Sequence, residues 1–288
     1  MGSRWVTRIK YSPLSRLAAL PMRARLGLGA TARHAGAVLR WLATSREWAN
    51  FSYDLTPEGV DAVACAIAVL GERPLDEVRG WADELKRDAV FAARYAEHVR
   101  CTRLRHITDP ELRYGRCLVR YLLVRAAEPR LVFEAGTDRG LSTWAMVRAL
   151  QHAGLPPGRS RIVTVDLAED RGELLDGDEG GYVQRLVGDS VQRLCELDAP
   201  VDLFVHDTTS DEAHLRAQLA ALAPRLAPGG WLHSAWFTTP FVEHCQRHGL
   251  RVLQYAEQPQ GHWYPGSRCG IARAYPPAAA ADAATLGP

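Results

Sequence analysis

The stretch Leu131-Val-Phe-Glu-Ala-Gly-Thr-Asp-Arg-Gly140 decides how this chain is read. A short apolar run ends in an acid, and two glycines four residues apart then open a helical pattern. That is the grammar of a strand entering a tight turn at a helix N-terminus, where a nucleotide-like ligand can approach the backbone. The spacing is not the dinucleotide fingerprint G-x-G-x-x-G. Position 138 is Asp, a poor neighbour for a pyrophosphate. An acid at the end of the first strand suits a cationic group, such as an amino-acid ammonium.

Downstream, apolar strands alternate with helices. Strands are expected at 161–166, 183–188, 201–207, 231–236 and 251–255, with a last one at 270–274. Helices are expected at 118–127, 141–153, 190–197, 211–223 and 241–248. Nearly continuous apolar strands separated by helices imply α/β architecture, a buried parallel sheet covered on both faces. Ligands of such sheets lie beyond the carboxyl ends of the strands. Upstream, helices are expected at 31–48, at 56–71 from the cap Thr56 with Pro57, and at 74–98. This divides the chain into a basic leader (1–30), a helical cap or lid (31–108), a ligand-binding domain (109–275) and a disordered Ala/Pro-rich tail (276–288).

Composition narrows the function classes. The 288 residues are 47% hydrophobic and 24% charged, as expected of a globular chain with a substantial core. A net charge of +2 gives no special attraction to nucleic acid. Of the basic residues only Lys10 and Lys86 are lysine, a bias that points to GC-rich bacterial coding rather than to an arginine-based binding function. The cysteines show no C-x-x-C and no zinc spacing; Cys65, Cys117 and Cys195 read as small buried hydrophobes, and a cytoplasmic setting fits best. No apolar run is long enough for a membrane span. No acid precedes Glu47, so the basic N-terminus fits a solvated leader or a membrane- or partner-contacting segment, with Pro13 and Pro21 interrupting any long helix.

Each later strand adds an acid at the same edge. Asp166 is placed to accept from ribose hydroxyls, or to cap the next helix. Asp189, in Gly188-Asp-Ser190, suits an adenine amino group, and Asp207 closes the fourth strand. Thr137 and Leu167 flank the first two acids as further cofactor-binding candidates.

These motifs resemble those of class I S-adenosylmethionine-dependent methyltransferases. Glu134, Gly136 and Gly140 match the family's E/D-x-G-x-x-x-G; Asp166 matches its second-strand acid. Gly188, Asp189 and Ser190 match its G-D-S, and Leu226, Pro228, Gly229 and Gly230 match its L-x-P-G-G. A bacterial small-molecule subgroup is similar further, in residues 50–57 (N-F-x-Y-D-L-T-P), 113–116 (R-Y-G-R) and 262–266 (H-W-Y-P-G). The resemblance implies a Rossmann-like, doubly wound, mostly parallel seven-stranded sheet with an added N-terminal helical region. It implies S-adenosylmethionine over the strand edge, with Glu134 near its methionine end and Asp166 on the ribose, and a small-molecule methyl acceptor.

The acceptor side departs from that pattern. Relatives that hold Mg²⁺ carry acids after strands four and five. Here Asp207 is followed by Thr208-Thr-Ser-Asp211, where the subgroup reads D-S-D-H, and the fifth strand ends His233-Ser-Ala-Trp236. No metal is therefore expected. General-base candidates are His206, His233 and His262, each with a structural role as the alternative, and His214 reads as an exposed helix residue. Trp236, His262, Trp263, Tyr264 and Tyr53 are the expected acceptor wall, with residues 50–54 as part of a lid. Methylation of oxygen is the first reading, with a specialised metabolite as the acceptor class it suggests. A donor-binding protein with altered or lost transfer activity stays open, as does an NAD(P) oxidoreductase, which Asp138 disfavours. Homo-oligomer formation is equally open.

Overall fold

The computed structural model of the protein describes residues 20–47, 52–175 and 179–275. The first helix is α1 (Leu20–Thr44), followed by α2 (Pro57–Gly71), α3 (Leu75–Arg87), α4 (Ala89–Cys101), a 3-10 turn (Arg103–His106) and α5 (Leu118–Ala127). The alternating part runs β1 (Leu131–Ala135), α6 (Leu141–His152), β2 (Arg161–Asp166), β3 (Val183–Val187), α7 (Ser190–Cys195), β4 (Val201–His206), α8 (Glu212–Leu222) and β5 (Leu226–Ser234). It closes with α9 (Thr239–Arg247), β6 (Arg251–Ala256) and β7 (Arg268–Arg273).

These strands form one seven-stranded sheet in the order β3-β2-β1-β4-β5-β7-β6, parallel except for β7, which is antiparallel to both neighbours. The strand order reverses between β1 and β4, so a crevice opens beyond their carboxyl ends. The alternation of side chains then sorts each strand between two helical layers. Leu131, Phe133 and Ala135 join Val163, Val165, Phe204 and Leu232 in one buried cluster, under Leu194 of α7, Leu215 and Leu219 of α8 and Phe241 of α9. Glu134, one step out of phase, points to the other layer and meets Thr143 of α6.

Several expectations are corrected. Residues 20–30 are helical rather than leader: α1 begins at Leu20, because Pro21 sits in the first helical turn, where proline is tolerated, instead of interrupting a helix. Residues 1–19 and 276–288, and Asn50 and Phe51 of the expected lid, lie outside the described residues. The helix expected at 74–98 is two helices, broken at Asp88, whose carboxylate caps Phe91 N–H at 2.9 Å. The Pro228-Gly-Gly turn lies within β5 as an irregularity in its pairing with β4, with Gly229 at φ +77°. Cys65 and Cys195 are exposed; Cys117 is buried.

The chain divides into two compact units. One holds residues up to Arg46 together with Gly261–Tyr264; the other holds Glu47–Gln260 and residues from Pro265 onward. Helices α2–α4 thus share a unit with the sheet, and the division falls at Arg46 rather than at residue 108. No described helix is long and apolar enough to cross a membrane.

Candidate functional site

The crevice at the carboxyl ends of β1 and β4 is a cavity of about 730 Å³, built wholly from the sheet-bearing unit. Its floor is the turn after β1. Gly136 has φ +100° and donates its N–H to Val165 O at 2.9 Å; a Cβ there would run into the Asp207 carbonyl. Gly140 has φ +90°, and a Cβ would strike Leu175. Both positions need glycine for the turn to close. Leu141 and Ser142, the first residues of α6, then line the cavity with Gly136, Thr137 and Gly140, placing a helix N-terminus at its floor.

The acids of β2 and β3 flank this floor. Asp166 accepts Asp138 N–H on Oδ2 at 3.0 Å and Ala168 N–H on Oδ1 at 3.3 Å, which ties the β1 turn to the β2 loop. Asp189 caps α7, accepting Val191 N–H and Gln192 N–H at 2.8 and 3.0 Å, both on Oδ1. A carboxylate has about four lone-pair sites, so each acid retains acceptor capacity for a sugar or base. Asp166, Leu167, Asp189, Ser190 and Asp207 all line the cavity, with Val165 and Leu174 supplying apolar surface. This set of acceptors fits a nucleoside, whose hydroxyls and amino group donate.

Glu134 is placed differently from the expectation. It is 1% exposed and does not line the cavity. Thr164 donates to its Oε2 at 2.7 Å and Thr143 donates to the same oxygen, while Oε1 is buried without a partner among the described residues. Burial pushes its carboxyl up to about 7, against the two hydroxyl donors and the Arg120 charge. It braces the β1–α6 turn from below.

On the β4 side, buried Arg120 of α5 holds Asp207 Oδ2 at 2.5 Å. Burial works against the Arg120 charge, but Asp207 and then Glu134 outweigh it and hold its pKa above the ordinary value. Trp236 lines the cavity after β5 and meets the His206 ring edge-on at 5.7 Å between centroids.

The structure places His206 and His233 beneath the cavity rather than in its lining. His206 is 1% exposed; its Nδ1 lies 2.6 Å from Gln218 Oε1 and its Nε2 3.1 Å from Thr209 O, so neither nitrogen is left for an acceptor's proton. Burial lowers its pKa. His233 is equally buried, lies 3.0 Å from Tyr255 OH, and is held neutral by burial, then by Arg120 and His206. Neither lines the cavity. His262, Trp263 and Tyr264 belong to the other compact unit, where Trp263 packs on Trp41 of α1 with ring centroids 5.3 Å apart and His262 Nδ1 accepts Tyr264 N–H. Tyr53 is buried and outside the lining; its hydroxyl donates to Glu257 at 2.9 Å, and its ring fills the space that a side chain at Gly115 would need.

Several lining residues had no assigned role. His214, expected on an exposed helix face, is half-buried in the wall, with Nε2 3.0 Å from Gln218 Nε2 and 3.2 Å from Ser190 Oγ. Ser52, Tyr95 and Thr108 come from the N-terminal helical part. Arg113 and Arg116 come from the R-Y-G-R segment, which Asp54 joins to residues 52–57: its carboxylate accepts Arg113 at 3.0 Å and Tyr114 N–H at 2.9 Å. The shared N-terminal motifs were the available signal, but their pairing is long-range. Among the described residues, no group of three or more His, Cys, Asp or Glu could hold a metal ion.

Residues 133–234, from within β1 to the end of β5, match a family model described as a methyltransferase domain. No curated protein matches the chain. Among solved structures, the chain is similar to the O-methyltransferase TomG from Streptomyces achromogenes, which is involved in tomaymycin synthesis and was solved with SAM. That match has 17% identity, covers 66% of this chain and 92% of that one, and has a TM-score of 0.47. It is also similar to an O-methyltransferase from Bacillus cereus solved with SAH, at 18% identity, 68% and 99% coverage and a TM-score of 0.48.

Proposed function

We propose that this chain, whose residues 133–234 match a methyltransferase-domain model, is an S-adenosylmethionine-dependent methyltransferase and that its acceptor is a small molecule methylated on oxygen. The observation that carries this reading is the cavity itself. About 730 Å³ lies within the range that takes a nucleoside-sized donor and a compact acceptor rather than a macromolecule.

Bound at the β1–β3 edge, the donor supplies an electrophilic methyl group on a sulfonium. Asp166 and Asp189 would accept from its sugar and base, while Thr137, Gly140 and the α6 N-terminus would line its path. Asp207, held still by Arg120, keeps one carboxylate oxygen for an ammonium or an acceptor hydroxyl. Trp236 offers a flat apolar wall against which an acceptor can be oriented and water displaced. With His206 and His233 engaged elsewhere, orientation and desolvation carry most of the chemistry.

A second reading, donor binding without transfer, draws support from those same two buried histidines. Calorimetry with S-adenosylhomocysteine and NADH, followed by methyl-labelled S-adenosylmethionine in bacterial small-molecule extracts, separates the readings. Micromolar S-adenosylhomocysteine binding without NADH binding, with label transferred, supports the first. Binding without labelled product favours the second, and no binding to folded protein sinks both. Unpaired cysteines suit a reducing, cytoplasmic setting.

A further inference from the structure

Four arginines line the cavity: Arg113, Arg116, Arg139 and Arg171. Three are committed. Arg113 pairs with Asp54 at 3.0 Å and Glu111 at 2.6 Å, Arg139 donates to Thr108 and Ile107 O, and Arg171 pairs with Asp138 at 3.3 Å. Arg116 is half-buried, and its guanidinium makes no hydrogen bond or ion pair among the described residues. A partly desolvated cation facing a cavity is costly unless something arrives to pair with it.

Its place in the fold says what that is. The Arg116 carbonyl accepts from the Arg120 guanidinium, which in turn grips Asp207 after β4. The Arg116 main chain therefore adjoins Asp207 at the end of β4, whereas Asp166 and Asp189 follow β2 and β3. Those acids complement a cationic donor; a free guanidinium does not complement a sulfonium. Arginine's planar fork matches a carboxylate or phosphate through two parallel hydrogen bonds.

We propose that Arg116 anchors the acceptor, and that the molecule methylated here carries a carboxylate or a phosphate. This rests on the methyltransferase reading above. The test uses methyl-labelled S-adenosylmethionine with small-molecule fractions of a bacterial extract. Products are separated by anion exchange at about pH 8, where carboxylates and phosphates are ionised. Wild-type protein is compared with Arg116→Gln and Arg116→Lys, and the affinity of each for S-adenosylhomocysteine is measured by calorimetry.

Labelled product should be retained on the exchanger and fall about tenfold or more in Arg116→Gln, as for loss of a charged hydrogen-bond pair. Arg116→Lys should restore part of it, because the charge returns without the fork. S-adenosylhomocysteine affinity should stay within about twofold in both variants, which also shows that they fold. Label in the unretained fraction overturns the proposal. So does a fall of about tenfold in S-adenosylhomocysteine affinity in Arg116→Gln, which would assign Arg116 to the donor's own carboxylate. Wild type that binds S-adenosylhomocysteine but labels nothing defeats methyl transfer, and the anchor with it. Wild type that does not bind S-adenosylhomocysteine defeats the donor site instead.

Discussion

The two sides of the crevice are built on opposite plans. On the β1–β3 side, polar groups sit in loops and open onto the cavity: Asp166 and Asp189 each use backbone donors to fix their position and keep acceptor capacity. On the β4–β5 side, polar groups are drawn inward. Arg120 clamps Asp207, His206 is bound by Gln218 and Thr209, and His233 leans on Tyr255. A side that must recognise a fixed donor can present rigid acceptors. The other side has turned His206 and His233 into scaffold, leaving Asp207, Trp236 and the segments around Ser52 and Arg116 to face the cavity.

The contrast breaks first if Arg120 is not the keystone of its side. Arg120→Ala should destabilise the fold by about 3–5 kcal/mol, because it strands the Asp207 carboxylate, and chemical denaturation measures it. A loss under about 1 kcal/mol would mean that the pair is not scaffold.

Gly136→Ala comes next, at about 3 kcal/mol, since the new methyl meets the Asp207 carbonyl at a left-handed φ. Its signature is a lowered Tm together with lost S-adenosylhomocysteine binding.

Asp166→Ala sharpens the donor side. It should weaken S-adenosylhomocysteine by about 1–3 kcal/mol in calorimetry with little change in Tm, and unchanged affinity would remove Asp166 from the site.

Glu134 tests the buried layer through pH. Its folded pKa of about 7 lies above its unfolded value of about 4.3, so the folded state holds the extra proton between them. The stabilising contribution is complete below the lower value and disappears as pH rises through the upper one. Stability should therefore fall by up to about 1.4 kcal/mol per pH unit in that window. Glu134→Gln should flatten the slope in urea titrations across the window; an unaltered slope would show that Glu134 does not carry it.

The smallest effect concerns metal. EDTA should change activity by less than about twofold, because the strand ends lack the oxygen set that a hard cation needs. Strict Mg²⁺ dependence would show that Asp207 has partners outside the described residues.

Much of this was legible beforehand for a definite reason. The strand–turn–helix of residues 131–140, the strand-end acids and the glycines are local features, each set by a few neighbouring residues and by backbone conformation. What misled was direction. Glu134 ends an apolar run like the other acids, yet β1 continues one residue further. The alternation of the strand then turns its side chain into the α6 layer. His206 and His233 are likewise buried outside the lining, since a strand-end position does not say which layer a side chain enters.

By itself, then, the sequence determined the α/β architecture, the sheet edge at which the cavity opens and the acids Asp166, Asp189 and Asp207 that line it, because short-range patterns encode them. Only the tertiary structure decided which of those groups reach the cavity. It joined residues 52–57 to 113–116 through Asp54, drew His214 into the wall and left Arg116 there without a side-chain partner among the described residues. Those outcomes depend on contacts between residues far apart in the chain and on side-chain directions, and no local pattern specifies either.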